Sequence, residues 1–146
     1  YRVRLPRGVT AYGADPPAPA HGVGIILSWE PRSYLYIDGS YNSLSLANNF
    51  PVAEMDEGFV RDEAPAIQSV KRRRTRLGPY AAVRLTVRHT CGSGGHFVTE
   101  EIAMLRQKKV FTISITTPAG RYRRDLAVFN QIARSFRLLR NNRGLL

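Results

Sequence analysis

The chain has one cysteine, one tryptophan and three lysines among its 146 residues. Each scarcity excludes something. Cys91 has no second cysteine to pair with, so no internal disulfide braces the fold. That suits a reducing compartment, or an exported domain large enough to bury its own core. No apolar run reaches eighteen residues, the length a membrane-spanning helix needs. The longest apolar stretches, such as Val23 to Trp29, have strand length. Acidic residues are also scarce: 11 against 22 basic, for a formal charge of +11. This disfavours cationic partners and favours anionic ones: nucleic acid, anionic head groups, wall polymers or an acidic protein. With only three lysines, the other 19 basic residues are arginines. Such a bias, with much Ala and Gly, is what a GC-rich genome produces, so part of the charge is expected to be compositional and solvated. The first residue is Tyr1 rather than Met, which fits a processed or trimmed product. Removal of a secretory signal is one route to it.

What is present is mostly strand. Tyr1 to Leu5 alternates apolar and basic residues until Pro6, the pattern of a strand. Residues 13–22, GADPPAPAHG, hold three prolines and two glycines and read as an extended loop. GVGIILSW (22–29), EPRS (30–33) and YLYIDGSY (34–41) form a hairpin pattern, with Pro31 suited to the first central position of the turn. Residues 42–52 are turn-rich and irregular. Residues 53–63 open with Glu54, Asp56 and Glu57, which complement a helix dipole, so a short helix is expected there, bounded by Pro65.

Residues 80–117 read as a three-stranded meander. In YAAVRLTVRH (80–89), Val83, Leu85 and Val87 point one way and Arg84, Thr86 and Arg88 the other. The glycines of CGSGG (91–95) suit a tight reversal into HFVTEEIAML (96–105). VFTISITT (110–117) follows, with Phe111, Ile113 and Ile115 on one face. DLAVFNQIARSFRLL (125–139) then carries Leu126, Phe129, Ile132 and Phe136 at helical spacing, with Asp125 at its start. The tail, 140–146, reads as loose, and no linker splits the chain into domains.

Three of these stretches, LGPYAAVRLTV (77–87), TEEIAMLRQKKVFTISITTPAG (99–120) and DLAVFNQIARSFRLL with its Ser135–Phe136 pair, together resemble the Mog1/PsbP-like group of folds. RVRLPRG (2–8) is similar to that group's opening. The resemblance covers about half the chain and rests on apolar patterns rather than reactive groups. It implies an α+β fold in which an antiparallel sheet is flanked by helices, an α/β/α sandwich. It also implies an accessory or binding role, with bacterial members often exported to the envelope. It supplies no catalytic residue and no cofactor.

KRRRTR (71–76) is the loudest local signal, with five cations in six residues. In a strand, Arg72, Arg74 and Arg76 share one face, and that face continues into Arg84 and Arg88 if Gly78–Pro79 does not interrupt it. A polyanion site needs several guanidinium groups on one surface. A solvated edge that deters sheet-to-sheet aggregation is the simpler use. Tyr34 and Tyr36 share a strand face and form a second candidate surface. His89, Cys91 and His96 gather near one turn, but their spacing matches no familiar metal motif, and a cross-strand histidine pair is the expected reading. Glu100 and Glu101 are adjacent on a strand, so they face opposite ways and cannot work as a carboxylate pair. Ser93 sits in a hairpin reversal, not a nucleophile elbow.

The expectation is therefore a non-catalytic protein with no cofactor, periplasmic or secreted. It would contact a protein or an anionic envelope component through Arg72, Arg74, Arg76, Arg84, Arg88, Tyr34 and Tyr36. An immunity-type toxin inhibitor and a nucleic-acid-binding module are the alternatives.

Overall fold

The computed structural model describes residues 1–13, 22–42, 45–49, 58, 61–62, 66–92, 94–106 and 108–139. Its strands are β1 (Tyr12–Gly13), β2 (Val23–Trp29), β3 (Arg32–Tyr41), β4 (Ala66–Leu77), β5 (Tyr80–Thr90), β6 (His96–Arg106) and β7 (Lys109–Pro118). One antiparallel sheet contains them all in the order β1-β2-β3-β7-β6-β5-β4. Six strands are long, and two-residue β1 only borders β2. The helix α1 (Tyr122–Ser135) follows a 3-10 turn at Ala119–Arg121.

The expected meander is there as β5-β6-β7. β6 lies in the middle of the long strands and is buried on both faces from Val98 to Met104. The hairpin β2–β3 also forms, with Glu30–Pro31 as its two-residue turn. Pro31 takes the second central position, not the first, after a cis peptide.

Alternation sorts the side chains. One face carries Ile25, Leu35, Ile37, Ile102, Met104, Phe111, Ile113 and Ile115, and α1 packs on it through Phe129, Ile132 and Ala133. The helix begins three residues before the expected Asp125 and ends at Ser135. Phe136 leaves it in extended conformation (φ −58°, ψ 133°) and is fully buried. Its ring stacks on Tyr1 at 5.5 Å and meets Phe111 and Tyr80 edge-on. Leu126 is only partly buried at the margin of this core.

Helices on both faces are not what the described residues show. Their one continuous α-helix lies on one face, with Gly58, Arg61 and Asp62 helical outside it, so the described architecture is α+β with a C-terminal helix rather than a helix-flanked sandwich. The helix expected near 53–63 lies outside the described residues except for Gly58, Arg61 and Asp62, and so do the loop at 14–21 and the tail at 140–146. On the second face, Leu46 packs against Ala103 and Val110. Tyr1–Leu5 alternates as expected, yet it joins no sheet strand. Its residue Arg2 exchanges two backbone hydrogen bonds of 2.9 Å with Arg137, beyond the end of α1.

Candidate functional site

β4 is an edge strand: among the described residues it pairs only with β5. The hairpin between them turns on Gly78–Pro79. Gly78 has φ +57°, and a Cβ there would lie 2.0 Å from the Phe136 carbonyl oxygen, so only glycine fits. Its N–H donates to the Ala133 carbonyl (2.8 Å), tying the hairpin to the end of α1. The basic run is thus the middle of a strand, not its start. Lys71, Arg72, Arg73, Arg74 and Arg76 are all exposed.

The register decides which arginines share a surface. Arg72, Arg74 and Arg76 stand opposite Leu85, Val83 and Ala81, on the second face. Lys71 and Arg73 stand opposite Thr86 and Arg84, on the helix face. Gly78–Pro79 does interrupt that face, so it does not continue from Arg76 into Arg84 and Arg88. The Gly78–Pro79 reversal makes β4 and β5 partners instead of one line, and it puts Arg84 and Arg88 on the other side of the sheet from Arg72, Arg74 and Arg76.

Arg84 is also not a surface residue. It is 6% exposed beneath α1. Its Nε pairs with Glu100 Oε2, its Nη1 donates to Asn130 Oδ1 (3.0 Å), and its guanidinium lies over the Phe129 ring at 5.4 Å. Glu100 Oε1 accepts from Thr86 (3.0 Å) and from the Tyr122 hydroxyl. Burial, then the hydrogen bond and the charge of Glu100, push the Tyr122 phenol up to about 12. Arg88 is exposed and rests over the Tyr122 ring at 5.4 Å, at the start of the helix.

Asp125 anchors the same end. It is buried and accepts from Ser33 and Thr117 at 2.6 Å each, joining α1 to β3 and β7. Sequence reading placed Asp125 at a helix start but missed both hydroxyl partners. They are 92 and 8 residues away, and no local pattern signals them.

The tyrosines do share a face, as expected, and their rings stack at 6.3 Å with Arg32 over Tyr34. They lean across β2, where Gly24 and Gly22 make room. A Cβ at Gly24 would lie 2.5 Å from the Tyr34 hydroxyl, and one at Gly22 2.3 Å from the Tyr36 ring. Covering glycines of a neighbouring strand is a packing role. Burial, then the nearby Asp38, raises the Tyr36 phenol above its ordinary range.

His89 and His96 are not a cross-strand pair. His89 faces Phe97 and His96 faces Thr90, so the two rings point to opposite sides of the sheet. His89 Nε2 meets Thr99 Oγ1 at 3.0 Å, and Thr99 meets Thr116 at 2.9 Å. Glu100 and Glu101 face opposite ways, as expected, and Glu100 balances the charge of Arg84.

Folding sharpens the charge asymmetry. Glu100, Glu101 and Asp125 are buried, whereas every described Lys and Arg except Arg84 is exposed or half-buried. The carboxylates that reach the described surface are those of Glu30, Asp38 and Asp62. On the β4 edge, Arg74 and Thr75 border a groove of about 490 Å³, closed by Asn48–Asn49 and the Ala81–Val83 backbone stretch.

No protein-family model and no curated protein matches the sequence. Solved structures match in shape. PsbP (CyanoP) of Synechocystis sp. PCC 6803 aligns at TM-score 0.63 with 16% identity, over 92% of this chain and 84% of its own. LpqN of Mycobacterium tuberculosis, involved in cell envelope biogenesis, aligns at 0.62 with 12% identity, over 90% and 79%. PA94 of Pseudomonas aeruginosa, a protein of unknown function, aligns at 0.60 with 13% identity, over 93% and 86%. These alignments support one conclusion: the chain has the Mog1/PsbP-like fold, over about nine-tenths of its length.

Proposed function

We propose that this is a non-catalytic binding protein of the bacterial envelope, periplasmic or secreted, which holds an acidic partner protein along the β4 edge. The observation that carries the reading is the exposed row Lys71–Arg74 and Arg76 on a strand paired on one side only. The row presents cations above and below the sheet edge, and the Arg74 groove lies beside it. A partner with carboxylates on both sides of an extended segment would meet both sets. LpqN, which has the same fold and is involved in cell envelope biogenesis, makes the compartment a consistent one. No described helix is long and apolar enough to cross a membrane. Arg84 drops out of the binding set because it is buried, and Tyr34 and Tyr36 because they pack on β2.

The test is retention of envelope and cytosolic components at low and moderate salt, comparing the protein with Arg72→Glu/Arg74→Glu/Arg76→Glu. One acidic protein kept at moderate salt and lost with the variant supports the reading. Equal, salt-labile polyanion background on both proteins would leave the row a solvated edge.

A further inference from the structure

A second basic cluster lies where the N-terminal segment meets the chain leaving α1. The Arg2–Arg137 backbone pair sets the register, and the Arg4 N–H donates to Ser135 Oγ at 2.7 Å. Alternation then turns Tyr1, Val3 and Leu5 into the core and leaves Arg2 and Arg4 exposed. Arg2, Arg4, Ser135 and Arg137 line one cleft of about 520 Å³. Among the described residues, no carboxylate pairs with any of its three arginines.

The carbonyls at the cleft floor are occupied. Arg137 Nη1 donates to the carbonyls of Arg134 (2.9 Å) and Phe136 (2.7 Å), at the negative end of the helix. Gly78 N–H takes the Ala133 carbonyl, and the Ser135 hydroxyl donates to Ile132 (2.7 Å). The helix end is thereby capped. Among the described residues, the guanidinium groups of Arg2 and Arg4 have neither a carboxylate nor a main-chain carbonyl as partner.

We propose that this cleft binds a tetrahedral oxyanion, the phosphate of a free ion or of a phosphomonoester head group. A carboxylate has two oxygens and is saturated by one or two guanidinium forks. A phosphate dianion offers enough acceptors for the forks of Arg2 and Arg4 and for the edge of Arg137 that its carbonyl bonds leave over, approaching from different sides. This site is separate from the β4 edge and stands or falls without it.

The test uses inorganic phosphate against chloride at matched ionic strength, followed through the backbone amide resonances. Saturable shifts at Arg2, Arg4 and Arg137 are expected. Arg2→Ala and Arg4→Ala should each weaken the affinity about tenfold, the order of a charge-assisted hydrogen bond. Arg4→Lys, which keeps the charge and loses the fork, should fall between. Both side chains are exposed, so unchanged thermal melts are expected and checked. Arg72→Ala/Arg74→Ala/Arg76→Ala should bind phosphate as the parent does. Non-saturating shifts spread over all basic residues, or equal weakening by both sets of variants, would overturn the site. A second arm uses vesicles of phosphatidic acid against phosphatidylcholine. Binding to the acidic vesicles that phosphate displaces and Arg2→Ala/Arg4→Ala abolishes identifies a lipid head group. Phosphate binding without vesicle binding identifies the free anion. Vesicle binding abolished only by the β4 variant, with no phosphate binding, rejects the cleft.

Discussion

Arg73 and Arg84 face each other across adjacent strands, on the same side of one sheet. One is exposed; the other is 6% exposed. The difference is what lies above them. α1 covers β5, and Asn130, Phe129 and Tyr122 close over Arg84 and its partner Glu100. β4 lies one strand further out, so the cation of Arg73 stays in water. The same side chain thus joins a buried polar network at one position and stands in solvent at the next. Strand spacing, about 5 Å, separates the two settings.

The comparison can be broken most sharply at its buried half. Arg84→Ala leaves Glu100 in the core without its cation and should cost about 3–5 kcal/mol, read from urea unfolding. Arg84→Met combined with Glu100→Leu should recover only part of that loss: a buried pair replaced by apolar side chains is often neutral, but Thr86, Tyr122 and Asn130 also lose their partner. If Arg84→Ala unfolds like the parent, the pair contributes little and the burial argument fails.

Asp125→Ala comes next. It strips the acceptor from two fully buried hydroxyls, Ser33 and Thr117, and should cost about 1–3 kcal/mol. The melting temperature measures it.

Tyr122→Phe tests the lid over the network and should cost about 1 kcal/mol at neutral pH. Its pH signature is more specific. The folded phenol sits at about 12 against 10.0 in the unfolded chain. Between those values the unfolded state has lost a proton that the folded state keeps. The contribution is therefore complete below pH 10 and is lost as pH rises toward 12. Tyr122→Phe should flatten that part of the stability curve; an unchanged slope would assign it to other groups.

The smallest effect belongs to the exposed half. Arg73→Ala should change stability by less than about 0.5 kcal/mol, since it removes a solvated cation. A loss approaching that of Arg84→Ala would show that β4 is as closed as β5.

Much of the sheet was legible. Val83, Leu85 and Val87 alternate with Arg84, Thr86 and Arg88, and period two is a property of the strand itself. The β5-β6-β7 meander followed from short turns, because neighbouring antiparallel strands need little chain between them. Phe129 and Ile132 marked the core face of the C-terminal helix, whereas Phe136, read as part of the same stripe, is buried just beyond its end. The site was less legible. Arg72, Arg74 and Arg76 are co-facial as their parity requires, but parity could place Arg84 and Arg88 with them only if Gly78–Pro79 left the strand unbroken, and the reversal there puts them on the other side. The Asp125 anchor and the cleft of Arg2, Arg4 and Arg137 join segments 92 and 131 residues apart in the hydrogen bonds that define them.

By itself, then, the sequence determined β2, β3, β5, β6 and β7, the two sets of side chains on each and the sign of the surface charge. These depend on neighbours one to four residues away and on composition. Only the tertiary structure decided which set faces the helix, which carboxylates leave the surface, and that Tyr1–Leu5 pairs with the end of α1 instead of the sheet. Those outcomes depend on register between distant segments. A one-residue slip would exchange the faces without altering any local pattern.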